Sequence, residues 1–342
     1  MVSNIMNMEV TPSELFPTFP NSGESELSHF RLINGFVYLP AAVGKRINLE
    51  EFMNEFEVVE ESKIEDYEWI NISNELHASS DQTIQKMLER PYNKKEWWKA
   101  GIEGFPVEMR GTIWTYLITA KSKCLKERYI GLLNEKCEKS VEKDIKKDIN
   151  RTFAFIPGFT KYQGTRLYNV LKAYSCFDPE VGYCQGMNYI VGIMLLYMED
   201  EADAFCLLAD ILNKFHWRKL YVNGMPKLTE CISNLEKRIK NELPKIYKHF
   251  IENELNMYGP FPHFFITTFL YSVPFNFGVR VFELFLIEGE NAIMECIVNM
   301  LNIMKDRILE MQFDRLHEYI KSGMANEFYI KYNSIALLVS NT

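Results

Sequence analysis

The sequence predicts an all-α fold: one multi-helix domain preceded by an acidic N-terminal segment that is partly disordered. Two observations carry this. Apolar residues recur at helical spacing from about Arg90 almost to the end, and few runs alternate with period two. Residues 1–85 hold 4 Lys/Arg against 15 Asp/Glu, a net −11, whereas residues 86–151 hold 16 against 10, a net +6.

Residues 1–28 carry Pro12, Pro17, Pro20 and the pair Ser22-Gly23 among few periodic apolar positions, so they read as a flexible leader. Phe36-Val37-Tyr38-Leu39 has strand character, and the acidic patch Leu49–Glu61 that of a short helix. In 166–177, Leu167, Val170, Leu171 and Tyr174 fall at i, i+3, i+4 and i+7, with Thr165 as N-cap and Asp178-Pro179 as the stop. Segment 184–198 repeats the pattern with Met187, Ile190, Val191, Met194, Leu195 and Met198. Segment 201–215 does so with Ala202, Phe205, Leu208, Ala209 and Leu212, and 229–240 with Ile232, Leu235 and Ile239. Longer apolar helices at 279–287 and 292–312 flank Glu288-Gly289-Glu290. The expected organisation is an extension, 1–85, a helical domain, 90–325, and a tail, 326–342.

The composition narrows the function classes. A 342-residue chain with 47% hydrophobic and 25% charged residues is globular, and a net charge of −8 argues against a general grip on nucleic acid. Seven cysteines, widely spaced and without CxxC, fit reduced thiols in the cytosol. Six scattered histidines lack HExxH, so no metal site is expected. Met1–Pro20 has no secretory pattern, residue 2 is Val, and Ser340-Asn341-Thr342 is no prenylation box. Phosphate-binding, kinase and nucleophile-elbow motifs are absent, so the chain does not read as a nucleotide-binding enzyme in its own right.

Three constellations stand out. In Gly104-Phe105-Pro106-Val107-Glu108-Met109-Arg110-Gly111-Thr112-Ile113-Trp114, Pro106 opens a helix, and Arg110 and Trp114 sit one turn apart, a spacing that allows the guanidinium to lie against the indole. In Ile145-Lys146-Lys147-Asp148-Ile149-Asn150-Arg151-Thr152, Ile145 and Ile149 form a buried stripe, while Asp148 and Arg151 share another face. Alone, that pair reads as a surface salt bridge; the chemical alternative is an arginine held by its carboxylate and aimed at an anion. Gly182-Tyr183-Cys184-Gln185-Gly186-Met187-Asn188 places a glutamine between glycines at a helix start, where backbone N–H groups are free. Alone, Gln185 is a solvated cap.

In this order the motifs resemble the TBC domain, the catalytic module of Rab-family GTPase-activating proteins, over about Trp97 to Tyr319. The resemblance implies that Arg151 is an arginine finger and Gln185 a glutamine finger, both offered in trans to a GTP-bound Rab-family GTPase. Asp148 and Thr152 would support the first, and Tyr183, Gly186 and Asn188 the second. Pro106, Arg110 and Trp114 would be scaffold. The partner would carry GTP and Mg²⁺, so no cofactor of the chain's own is implied, no metal, no nucleic acid, and membrane contact only through the GTPase. A role in vesicle trafficking, cytoplasmic or peripheral on endomembranes, follows from the same likeness. Phe105, Phe264-Phe265 and Arg280-Val281-Phe282-Glu283 depart from the family's usual Ile, Trp-Phe and Arg-x-Trp-Asp. A non-catalytic GTPase-binding scaffold using the same surface is the alternative.

Overall fold

The computed structural model describes residues 81–339 except 119–122 and 157–158, together with three short strands at 31–33, 36–38 and 46–48. The strands β1 (Arg31–Ile33), β2 (Phe36–Tyr38) and β3 (Arg46–Asn48) pair antiparallel in that order, with Val37 opposite both Leu32 and Ile47. Strand β2 covers the stretch whose residues have strand character. The expected leader at 1–28 and the helix at Leu49–Glu61 lie outside the described residues.

Everything described after Asp81 is helical or connects helices. The first are α1 (Asp81–Leu88) and α2 (Lys94–Glu103). The Asn93 side chain caps α2 by accepting from the Lys95 N–H at 3.1 Å. Pro106, with φ −55°, starts a single 3₁₀ turn, Val107–Met109, that runs into α3 (Arg110–Ile118). Then come α4 (Lys123–Asn134), α5 (Lys139–Ile149), α6 (Phe159–Phe177), α7 (Met187–Tyr197) and α8 (Glu201–Lys214). The second half holds α9 (Arg218–Tyr221), α10 (Pro226–Glu242), α11 (Pro244–Glu252), α12 (Pro262–Ile266), α13 (Phe275–Glu288) and α14 (Glu290–Ile303). It closes with α15 (Lys305–Leu309), α16 (Phe313–Glu318), a π turn (Tyr319–Gly323), α17 (Met324–Tyr332) and α18 (Ala336–Val339).

Two helices form the interior. All 11 residues of α7 are buried, and so is α13 from Phe275 to Ile287. Both are buried on every side and mostly apolar, with Asn188 on α7 and Asn276, Arg280 and Glu283 on α13 as buried polar exceptions, which is the pattern of a helix enclosed by others. Helix α7 packs on α3, α5, α6 and α8, and α13 on α2, α3 and α14, so α3 touches both. It comes close enough because residue 111 is glycine: a Cβ there would stand 2.5 Å from the Tyr197 carbonyl oxygen.

Several boundaries differ from the expected ones. Thr165 is not an N-cap: it lies inside α6, which begins at Phe159, a residue 1% exposed that extends the apolar stripe upstream. The run 292–312 is divided at Met304, where ψ of 11° ends α14 and starts α15. The limit set at residue 90 leaves out Ile84 and Met87 on α1, both buried in the common core. The limit at 325 cuts α17, and residues beyond it are not a loose tail: Phe328 and Leu338 are fully buried, and the Asn299 amide donates to the Leu338 carbonyl at 2.7 Å.

Candidate functional site: two polar side chains on one groove

The first motif is a buried clamp. Arg110 donates from Nε to Glu283 Oε1 at 2.8 Å and from Nη1 to the Tyr197 hydroxyl at 2.8 Å. One side chain thus joins α3 to both central helices. Its guanidinium lies over the Tyr197 ring, 5.0 Å from the centroid, not against Trp114 as the spacing suggested. The reason is the buried carboxylate, which draws the charge away from the indole. Trp114 packs edge-on against Tyr197 and Phe282, with centroids at 5.1 and 5.2 Å. Burial pushes the Glu283 carboxyl up, against the pull of Arg110 and Arg280, and lowers Arg280 to about 10. The cluster is buried and ties α3 to α7 and α13.

The second motif ends α5 and turns outward. Ile145, Ile149 and also Asp148 are buried, so Asp148 does not form an ordinary surface bridge. Its Oδ1 accepts from Arg151 Nη2 at 2.7 Å, with side-chain exposures of 5% for Asp148 and 44% for Arg151. The Tyr183 hydroxyl donates to Asp148 Oδ2 at 2.6 Å. Thr152 is fully buried, and its hydroxyl donates back to the Asp148 carbonyl at 2.7 Å. Two residues past Arg151 the chain reverses at Phe153, which takes φ of 45°, an uncommon conformation for a bulky residue. Its ring holds that turn within Phe159, Tyr189 and Phe275, at centroid distances of 5.5 Å each. Phe153 escaped the sequence reading because positive φ leaves no signature in an aromatic residue.

The third motif forms the turn into α7. Gly186 caps the helix with φ of 111°, and a Cβ there would lie 2.4 Å from Ile266 Cγ2. Only glycine fits on both counts. Asn188 is fully buried and uses both ends of its amide: Oδ1 accepts from the Gly186 N–H at 2.9 Å, and Nδ2 donates to Thr152 Oγ1 at 2.8 Å. Asp148, Tyr183, Asn188 and Thr152 therefore form one network that joins the Arg151 segment to the Gln185 turn. Gln185 itself is exposed, and no described residue hydrogen-bonds its side-chain amide.

Arg151 and Gln185 line the same surface groove, a cavity of about 630 Å³. The rest of its lining comes from residues far along the chain, including Tyr258, His263, Ile266, Tyr271 and Lys321. Sequence reasoning named none of these. The only local signal was the aromatic density between Tyr258 and Tyr271, which reads as core.

Burial, with the Asp148 hydrogen bond, drives the Tyr183 phenol well above its ordinary range, so it stays a donor. Burial and the Asp148 charge push the Cys184 thiol up to about 11, which makes it a poor nucleophile. Burial and then Lys321 hold His263 down at about 3, hence neutral. Burial opposes the charge on Arg151, but its bond to Asp148 outweighs this and raises the guanidinium.

Residues 107–309 match the Rab-GTPase-TBC domain family. The chain belongs to that family. It is 31% identical over 289 residues to GTPase-activating protein GYP5 of Eremothecium gossypii, covering 84% of this chain and 33% of that protein. It is 28% identical to the Saccharomyces cerevisiae protein of the same name, covering 83% and 31%. Against Rab GTPase-activating protein eat-17 of Caenorhabditis elegans, identity is 30% over 71% of this chain and 27% of that one. The chain spans about a third of the length of these relatives. Its fold is similar to the Chlamydomonas flagellar RabGAP TBC domain, with a TM-score of 0.63 at 22% identity over 76% of this chain and 90% of that one. The Ypt/Rab-GAP domain of Gyp1p gives 0.59 at 18% identity, over 72% and 92%.

Proposed function

We propose that the chain stimulates GTP hydrolysis by a Rab-family GTPase in its GTP-bound form, with Arg151 and Gln185 entering the partner's site as fingers. The observation that supports this reading is that both side chains reach one groove from segments fixed to a common buried network. Charge develops on the phosphoryl oxygens as GTP is cleaved, and a guanidinium presents several N–H donors in a plane that matches them. Asp148 holds only Nη2, so the rest of the Arg151 fork is free to turn to phosphate. The Gln185 amide has an acceptor for the attacking water's proton and donors for backbone, which suits it to hold that water in line. An arginine finger supplies about 10³–10⁵ in rate.

In this reading the partner brings GTP and Mg²⁺, and the chain needs no cofactor. It acts in the cytoplasm and reaches endomembranes through the GTPase, which places it in vesicle trafficking. The test is single-turnover hydrolysis by a panel of purified Rab GTPases, with the wild-type chain beside Arg151→Ala. Acceleration of one or a few members, lost on substitution, is expected. Binding without acceleration by the wild type returns the scaffold reading and overturns the catalytic one.

A further inference from the structure

We propose that the part of the groove formed by Lys321 with Tyr258 and Tyr271 selects the GTPase by pairing Lys321 with a carboxylate flanked by an apolar side chain. The proposal rests on the function given above and adds the chemistry of the surface that the groove accepts.

The first observation is charge. The chain is acidic overall, at −8, yet no carboxylate is among the groove's described lining residues, whereas Arg151 and Lys321 are. Arg151 is compensated by Asp148 at 2.7 Å. Lys321 has no salt bridge or hydrogen bond with any described residue. A half-buried lysine that no described residue pairs, lining a cavity, is a place for an anion from outside.

The second observation is the backbone that carries it. Lys321 sits in the π turn Tyr319–Gly323, between α16 and α17. Single π turns are rare and concentrate at functional sites, because the wider turn re-aims its side chains. Here it presents Lys321 to the groove while Tyr319 and Ile320 stay buried on the other side.

The third is the rim. Tyr258 and Tyr271 are 50% and 43% exposed, and both border the same groove. Exposed aromatic rings beside a cation are anchors for an apolar side chain, since they bury much area at small entropic cost. His263 is held neutral by burial, so it adds no competing charge to this part of the groove.

The test uses a GTPase that the full chain accelerates. Lys321→Glu and Lys321→Met are compared with the wild type by hydrolysis rate against GTPase concentration. The expected result for Lys321→Glu is a KM raised about tenfold or more, with kcat near the wild-type value and a weaker dependence of kcat/KM on salt. Lys321→Met shows a smaller rise, because the stem still packs. Tyr258→Ala raises KM in the same way. A GTPase carboxylate whose change to lysine weakens the wild type and restores Lys321→Glu names the group that is read. Unchanged KM in Lys321→Glu, beside an active wild type, overturns this inference alone. A wild type that acts on no GTPase overturns it together with the proposed function.

Discussion

Asp148 divides its two carboxylate oxygens between the two segments that carry Arg151 and Gln185: Oδ1 holds Arg151 Nη2 at 2.7 Å and Oδ2 accepts the Tyr183 hydroxyl at 2.6 Å. Gln185 follows Tyr183 by two residues, so the Arg151 and Gln185 segments are both tied to one side chain. Asp148 is 3% exposed, which makes these contacts stronger than those of an exposed pair.

Tyr183→Phe isolates this relationship. It removes the hydroxyl that donates to the buried Asp148 carboxylate at 2.6 Å and also lies 3.3 Å from Asn188 Oδ1, at a cost of about 1–3 kcal/mol. The expected outcome is a lower urea midpoint and a lower kcat with KM little changed, since Tyr183 positions the turn without facing the partner. Unaltered kcat sinks the idea that the network aligns the fingers.

Gly186→Ala tests the turn itself. The added Cβ meets Ile266 Cγ2 at 2.4 Å, in a backbone with φ of 111°. Strain and overlap together cost about 2 kcal/mol or more. Thermal unfolding should show a lower Tm, and stimulated hydrolysis should fall more than stability alone explains, because Gln185 is displaced.

Arg110→Met leaves Glu283 fully buried beside Arg280 alone, whose Nε stands 3.7 Å away. Removing one partner of a buried pair costs about 3–5 kcal/mol. Urea unfolding should show a loss of that size. A loss under about 1 kcal/mol contradicts the clamp role, being what a surface pair is worth.

His263 gives a pH-dependent contribution of fixed sign. Its folded pKa, near 3, lies below the ordinary value of 6.5, so the unfolded chain binds the extra proton between those limits. Its contribution to stability is complete above about pH 6.5 and declines as the pH falls toward 3. At pH 5 the expected loss is about 2 kcal/mol. His263→Gln should flatten the fall in urea-unfolding free energy between pH 7 and 5 relative to the wild type. An equally steep fall in the variant removes His263 as its source.

The helices around the site were legible because their apolar residues repeat within one segment, as in α7 and α8. The candidate-site residues could be picked out because each motif is local: Asp148 with Arg151, Tyr183 with Gln185 and Asn188. What joins the motifs was not. The Tyr183–Asp148 contact spans 35 residues and Arg110–Glu283 spans 173, and no spacing rule reaches so far. The same distance hid the groove residues Tyr258, His263 and Lys321. Arg110 went to Tyr197 rather than Trp114 for the same reason: its true partners lie on other helices. The start of α6 was missed because Thr165 looks like a cap, while the stripe that matters continues through buried Gln163 and Phe159.

The central claim is that two side chains of this chain complete another protein's active site. The direct measurement is single-turnover GTP hydrolysis by a responsive Rab GTPase whose own active-site glutamine has been replaced by alanine. It is made with the wild-type chain, Arg151→Lys and Gln185→Ala. The wild type should still accelerate this GTPase, and each variant should lose at least about a hundredfold of that acceleration. A glutamine-free GTPase that no longer responds to the wild type, or a variant close to wild-type activity, contradicts the account.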